Sequence, residues 1–101
     1  MIAVAPEEVA RIKKLITDYF PSDPIMIHIA EAESSFDCGV KNISSSARGC
    51  FQILAGTWAD NECTGESFDV EDNIACAAKI HKKQGTRPWN PSKDKWGKYL
   101  K

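Results

Sequence analysis

No run of the 101-residue sequence approaches the roughly 20 consecutive apolar residues that a membrane-spanning helix needs, so no membrane span is expected. The first five residues are too short for the apolar core of a signal peptide. The sequence also lacks internal repeats, low-complexity tracts and useful lengths of alternating apolar and polar residues. We therefore expect an all-α fold, in a single domain that covers residues 1–101.

An excess of charge of one sign is also absent, since 13 Lys and Arg face 14 Asp and Glu for a net charge of -1. Nucleic-acid-binding proteins usually carry a strong basic excess, so no nucleic-acid partner is expected. Six acids and no basic residue lie within 60–72, whereas 79–101 holds eight Lys and Arg against one acid. This asymmetry indicates either helix-dipole complementarity with a solvated basic end or attraction to an anionic polymer such as a bacterial wall.

The four cysteines form no C-x-x-C pair and the chain has only two histidines, so we expect no metal site and no cofactor. Cys38, Cys50, Cys63 and Cys76 are 12, 13 and 13 positions apart. Two disulfides are favoured, because each closed loop of this length stabilises a small domain by about 3 kcal/mol. Three pairings are open. We favour Cys38 with Cys50 and Cys63 with Cys76, since each pair ties a loop to the element that follows it. The alternative to disulfides is a cytosolic protein with four buried thiols.

Two helices are predicted in the first third of the chain. Apolar residues at three- and four-residue steps, after acids in the first turn, predict an amphipathic helix from Pro6 to about Tyr19. Asp23 is the expected N-cap of a second helix, from Pro24 to about Ser34. That helix is apolar almost all round, so it belongs in the middle of the fold.

A long loop and three further helices are predicted after it. Residues 37–50 are rich in turn formers, and long loops in small domains tend to be functional. A short helix is expected around 56–61, and a strong helix over 70–84, between Asp69 as N-cap and a closing glycine. A last short helix is expected to start at Ser92.

Glu33 is the leading candidate for acid–base chemistry. It shares a helix face with apolar residues such as Met26 and Ile29, and it lies in the last turn, where the helix dipole is negative. Both effects raise the pKa of its carboxyl group, as a general acid near neutral pH requires. A buried acid capped by serines 44–46 or by loop amides is the alternative. Glu31 points to roughly the opposite side and is expected to face solvent.

The residues around Glu33 belong to a larger set of short motifs. These are Glu33-Ser34-x-Phe36, a serine-rich loop, Ala47-x-Gly49-x-x-Gln52-Ile53, Thr57-Trp58, and Asp72-Asn73-Ile74 with Ala77-Ala78. Together, over about residues 25–89, they resemble the soluble lytic transglycosylase domain, a family with a goose-type-lysozyme-like fold. The resemblance implies a small lysozyme-like helical domain whose central buried helix carries the catalytic Glu.

The resemblance also implies roles for individual residues. Glu33 would be the single catalytic acid and base, Gln52 would line the saccharide groove, and Ser45 or Ser46 would contact sugar. Gly49 lets the backbone approach a ligand closely, or meets a simple turn requirement. Trp89 either stacks on a sugar face or belongs to the core.

The implied substrate is the peptidoglycan glycan strand, cleaved between N-acetylmuramic acid and N-acetylglucosamine with a 1,6-anhydro product. A monomer is expected, outside the cytoplasm: secreted, periplasmic or delivered to the wall by a phage. A hydrolytic muramidase and a non-catalytic wall-binding domain are the alternatives. A two-carboxylate hydrolase would need a partner for Glu33, for which Asp37 and Asp60 are the candidates.

One position departs from the family pattern. After Asn-Ile-x-x-Ala the family usually places a tyrosine whose hydroxyl hydrogen-bonds the catalytic acid, and Ile80-His81 occupies that stretch here. His81 either replaces the tyrosine or faces solvent between lysines. The sequence therefore leaves open which group orients Glu33.

Overall fold

The computed structural model describes residues 4–39 and 43–100. Five α-helices lie in this part of the chain: α1 (Pro6–Tyr19), α2 (Ile25–Ser34), α3 (Ala55–Asp60), α4 (Val70–Gln84) and α5 (Lys93–Trp96). Two 3-10 helices, Arg87–Ser92 and Gly97–Tyr99, flank α5. The described residues contain no strand beyond an isolated antiparallel bridge between Arg48 and Ile53. The all-α class predicted from the sequence is confirmed.

Helices α1 and α4 have the bounds that their sequence signals predict. Proline and two glutamates open α1, and its buried residues Ile12 and Ile16 are four apart, on one face. In α4 the Asp69 carboxylate accepts a hydrogen bond from the Asp72 N–H, and Gly85 ends the helix with a φ of 63°.

Helix α2 lies at the centre of the fold, where its nearly all-apolar sequence placed it. Ile25, Met26, Ile29 and Ala30 are buried, and the helix packs against α1, α5 and the Arg87–Ser92 turn. It ends at Ser34, and the next residue, Ser35, has a left-handed φ of 54°.

The start of α2 differs from the prediction. Asp23 makes no side-chain cap; its backbone carbonyl accepts from the Met26 N–H instead. The Asp23 carboxylate lies 2.6 Å from Nε2 of His81 on α4. A long-range partner thus replaces the local cap.

The C-terminal segment closes one side of the core. Two prolines, which fix φ near -65°, fit the 3-10 turn Arg87–Ser92 that precedes α5. Trp89 and Trp96 are both buried there, and the Trp96 indole N–H donates to the Trp89 carbonyl oxygen at 3.2 Å. This segment brings Ser92 next to α2.

The structure forms both disulfides that the sequence favoured. Cys38–Cys50 joins the turn after α2 to the loop that precedes α3. Cys63–Cys76 joins the segment after α3 to α4. All four cysteines are therefore paired. None of the described helices has the length and apolar character needed to cross a membrane.

Candidate functional site

A cleft of about 480 Å³ lies between α2, the loop before α3 and the C-terminal segment. Its wall includes Glu33 of α2, Ser45 and Gln52 of the loop, Thr57 of α3, Trp89 and Ser92 of the 3-10 turn, and Lys95 of α5. The volume lies within the range of small-ligand sites. Glu33 is the only carboxylate among the described residues that lines it.

Glu33 is partly buried, and the environment of its carboxyl group favours the neutral form. Loss of hydration raises the pKa of this group above its ordinary value. A hydrogen bond from Ser92 and the positive charge of Lys95 act in the opposite direction, and the pKa remains raised on balance. The direction is the one that the apolar helix face predicts, and it suits a group that must donate a proton.

Ser92 contacts Glu33 directly. Its hydroxyl oxygen lies 2.6 Å from Glu33 Oε2, 3.1 Å from the Trp89 carbonyl oxygen and 3.1 Å from Trp96 Nε1. Because an indole nitrogen only donates, Trp96 occupies one of the two lone pairs of the hydroxyl, and the single hydroxyl proton is available to Glu33 or to the Trp89 carbonyl oxygen. The distance to Oε2 is shorter than the distance to the Trp89 carbonyl oxygen, so Glu33 is the better placed acceptor of the hydroxyl proton.

The loop that carries Gln52 is attached to the core from two sides. The Ser34 hydroxyl lies 2.9 Å from the Cys50 carbonyl oxygen, which ties the loop to α2. On the other side Asn73 of α4, which is fully buried, accepts from the Phe51 N–H at 2.9 Å. Its amide also donates to the carbonyl oxygens of Arg48 at 3.0 Å and Ser67 at 2.8 Å.

We expect Asn73→Ala to destabilise the fold by about 2 to 3 kcal/mol, because the buried Phe51 N–H and the Ser67 carbonyl oxygen lose their partner and the Arg48 carbonyl oxygen keeps only the Ile53 N–H. Thermal denaturation followed by circular dichroism should show a melting temperature roughly 10 °C lower. Asn61→Ala is the matched control, since Asn61 is also buried but its side chain makes one hydrogen bond, to the Thr57 carbonyl oxygen. Equal losses in the two variants would contradict the role given to Asn73.

The two candidate serines occupy different positions. Ser45 lines the cleft, and its hydroxyl accepts from the Ala47 N–H at 3.1 Å. The Ser46 hydroxyl accepts from the Ala55 N–H at 2.9 Å, at the first residue of α3. Ser46 lines a separate cavity of about 260 Å³. Ser45 is therefore the one of the two serines that lies in the cleft. Ser46 instead accepts a hydrogen bond at the N-terminus of α3.

Gly49 serves the packing of the loop. Its φ is +81°, and a Cβ there would collide with the Asn73 side chain and the Ser67 carbonyl oxygen. The close approach that the sequence assigned to a ligand is therefore made by Asn73. Gln52 does line the cleft; its side-chain amide donates to the Gly49 carbonyl oxygen at 3.0 Å.

Trp89 reaches the cleft wall while belonging to the core. It is 4% exposed, and its indole N–H donates to the Phe51 carbonyl oxygen at 3.0 Å. So small an exposure leaves no open ring face for a sugar, and its expected stacking role is corrected to support of the cleft wall.

His81 does not replace the missing tyrosine. Its side chain is 25% exposed, packs edge-on to Phe20 and pairs with Asp23, so it is neither at Glu33 nor simply in solvent. The two candidate second carboxylates are also elsewhere. Asp37 accepts from the Gly39 N–H in its own turn, and neither Asp37 nor Asp60 lines the cleft.

Ser92 and Lys95 are the site residues that sequence reasoning missed. Ser92 was expected only as a helix start, and Lys95 only as part of a basic end. Both lie about 60 positions after Glu33, so no local spacing connects them to it. A signal was present in the two prolines before Ser92, which favour a tight turn.

Comparisons with protein-family models, with curated proteins and with solved structures find no match for this chain. Among residues 4–39 and 43–100, no three His, Cys, Asp or Glu side chains lie close enough together to hold a metal ion. Function is therefore inferred from the motifs and from the chemistry of the cleft.

Proposed function

We propose that the protein is a peptidoglycan lytic transglycosylase, which cleaves the β-1,4 bond between N-acetylmuramic acid and N-acetylglucosamine. The observation that carries the proposal is the position of Glu33 in the cleft, as the one carboxylate of the described residues there, with a raised pKa. The motif resemblance assigns the family's single catalytic acid to the same residue. Gln52, assigned to the saccharide groove, lines the same cleft.

The reaction needs one carboxyl group used twice. Protonated Glu33 gives its proton to the glycosidic oxygen as the bond to C1 breaks, and the leaving sugar departs with a free hydroxyl group. The acetamido group of the substrate stabilises the positive charge that develops at C1. Ionised Glu33 then takes the proton of the muramic acid 6-hydroxyl, whose oxygen closes the 1,6-anhydro ring. Glu33 ends protonated and no water is consumed.

The arrangement favours this reaction over two-carboxylate hydrolysis. A hydrolase of that kind places its second carboxyl about 5 to 9.5 Å from the first. Asp37 and Asp60, the two candidates, do not line the cleft. A muramidase that activates water with Glu33 alone is the second candidate, since it uses the same cleft and the same acid.

The proposed substrate lies outside the cytoplasm, and the cysteine chemistry is compatible with that location. Both disulfides require an oxidising environment to form and persist. We propose an extracytoplasmic location, in which the protein acts on the wall as a secreted, periplasmic or phage-delivered enzyme.

Mass spectrometry of muropeptides tests the reaction type. We expect digestion of purified peptidoglycan to release fragments that end in 1,6-anhydromuramic acid, each one water lighter than the hydrolysed fragment. If the fragments instead have the mass of the hydrolysed product, the enzyme is a muramidase and not a transglycosylase. If the protein binds insoluble cell wall and releases no soluble fragment, it is a non-catalytic wall-binding domain.

A further inference from the structure

The two carboxylate oxygens of Glu33 have different surroundings. Oε2 is held by the Ser92 hydroxyl at 2.6 Å. Oε1 has no hydrogen-bond partner among the described residues. It is not fully buried, since the one fully buried side-chain polar atom without a partner in the described residues is Nδ1 of His28. Oε1 is therefore the oxygen that is open to the cleft.

Ser92 is itself fixed by two buried tryptophans. Trp96 is fully buried and Trp89 is 4% exposed, so the indole N–H and the carbonyl oxygen that face the Ser92 hydroxyl are part of the core. With the indole of Trp96 donating to it, the hydroxyl has one proton to give. The 2.6 Å contact with Glu33 Oε2, against 3.1 Å to the Trp89 oxygen, gives that proton to Glu33.

We propose that Ser92 is the positioning residue of the site: it occupies Glu33 Oε2, so that Oε1 carries the catalytic proton toward the glycosidic oxygen. This inference rests on the proposed function. It gives Ser92 the task that the resembling family assigns to a tyrosine hydroxyl, from a different element of the fold. The same contact serves both halves of the reaction, because Oε2 accepts from Ser92 whether Oε1 is protonated or ionised.

The pH response of the site follows from the charges around Glu33. The Ser92 hydrogen bond favours the ionised carboxylate, and Lys95 of α5 is the one charged residue of the described chain that acts on it in the same direction. When the Ser92 hydroxyl is removed, Lys95 alone counteracts the effect of burial, which raises the pKa of Glu33. The pKa of Glu33 therefore rises further. Since the acid step needs protonated Glu33, the alkaline limb of the activity profile moves to higher pH.

Ser92→Ala tests the proposal, because Trp96 keeps its other acceptor, the Trp89 carbonyl oxygen, and the fold is preserved. We expect kcat for muropeptide release to fall roughly 10- to 100-fold with KM little changed, since the acid is present but poorly oriented. Ser92→Thr restores the hydroxyl and most of the activity. Ser22→Ala, in the exposed turn before α2, is the matched control and keeps wild-type kinetics. Full activity and an unshifted pH profile in Ser92→Ala would overturn the inference.

A carbon-13 NMR titration of the Glu33 carboxyl group, assigned by its absence in Glu33→Gln, provides a readout that needs no turnover. We expect a higher titration midpoint in Ser92→Ala than in wild type, with Ser92→Thr close to wild type. An equal midpoint in Ser92→Ala would overturn the contact itself. If no form of the protein releases muropeptides, the proposed function fails, and the titration still decides whether Ser92 holds Glu33.

Discussion

Glu33→Gln should lower the lysis of purified cell walls by at least about 10³-fold, the upper part of the range for loss of a general acid. The loss is expected to be large because one carboxyl group serves as acid in the first half of the reaction and as base in the second. The amide can do neither, although it keeps the size of the side chain and can still accept from Ser92. Loss of turbidity of a wall suspension, followed at matched protein concentrations, measures the effect.

The fold of Glu33→Gln should remain intact, and its stability provides a second check. Because the folded-state pKa of Glu33 is raised, the contribution of this side chain to stability falls as the pH rises from about 4 through that pKa. The amide has no such loss, so the variant should melt at the same or a higher temperature at pH 7. Below pH 4 the two proteins should converge.

Glu31→Gln is the control for charge and helix position. Glu31 lies on α2 two residues earlier and is exposed, so its variant should lyse walls at the wild-type rate. Wild-type activity in Glu33→Gln would reject Glu33 as the acid. Equal losses in both variants would indicate damage to α2 instead of removal of the acid.

Removal of the Cys38–Cys50 disulfide should affect both stability and activity. Replacing both cysteines by alanine releases a loop closed over a sequence separation of 12, which we expect to cost about 3 kcal/mol, or roughly 15 °C in melting temperature. This bridge joins the turn after Glu33 to the loop that holds Gln52. Wall lysis at a temperature where the variant is still folded should therefore fall several-fold.

The Cys63–Cys76 disulfide is the natural comparison, because its sequence separation of 13 is nearly the same. The corresponding double alanine variant should lose a similar amount of stability, but it should keep most of its activity while folded, since this bridge joins the segment after α3 to α4 and its loss leaves the Cys38–Cys50 link between the turn after Glu33 and the Gln52 loop intact. Calorimetry and turbidity assays on the two variants separate the effects. Equal activity in the two folded variants would show that the first bridge does not hold the cleft together.

The sequence predicted the elements whose signals are local. Proline and acids at the start of α1, the Asp69 cap and Gly85 of α4, and the all-round apolar pattern of α2 each act within a few residues. For the same reason the direction of the Glu33 pKa could be derived from neighbours on its own helix. The favoured disulfides also followed a local rule, since each pair ties a loop to the element that follows it.

The predictions that failed depend on contacts between distant parts of the chain. Asp23 has the composition of an N-cap, but a histidine 58 positions later takes its carboxylate. Ser92, the partner of Glu33, is 59 positions away. It ends a turn that contains two prolines, and the sequence pattern indicates this turn only as the segment before the last helix. Gly49 was expected either to let a ligand approach or to meet a turn requirement; its φ of +81° agrees with the turn, and the group that approaches it, Asn73, could be identified only in three dimensions.

The attachment of the loop that carries Gln52 has a consequence for ligand affinity. Asn73, the Ser34 hydroxyl and the Cys38–Cys50 disulfide hold this loop in place without a ligand. Ordering a flexible loop on binding would cost about 1 to 2 kcal/mol of conformational entropy per residue. Because this wall of the cleft is ordered in advance, a saccharide that enters it does not bear that ordering cost, and its affinity is higher than the same contacts would give with a flexible loop.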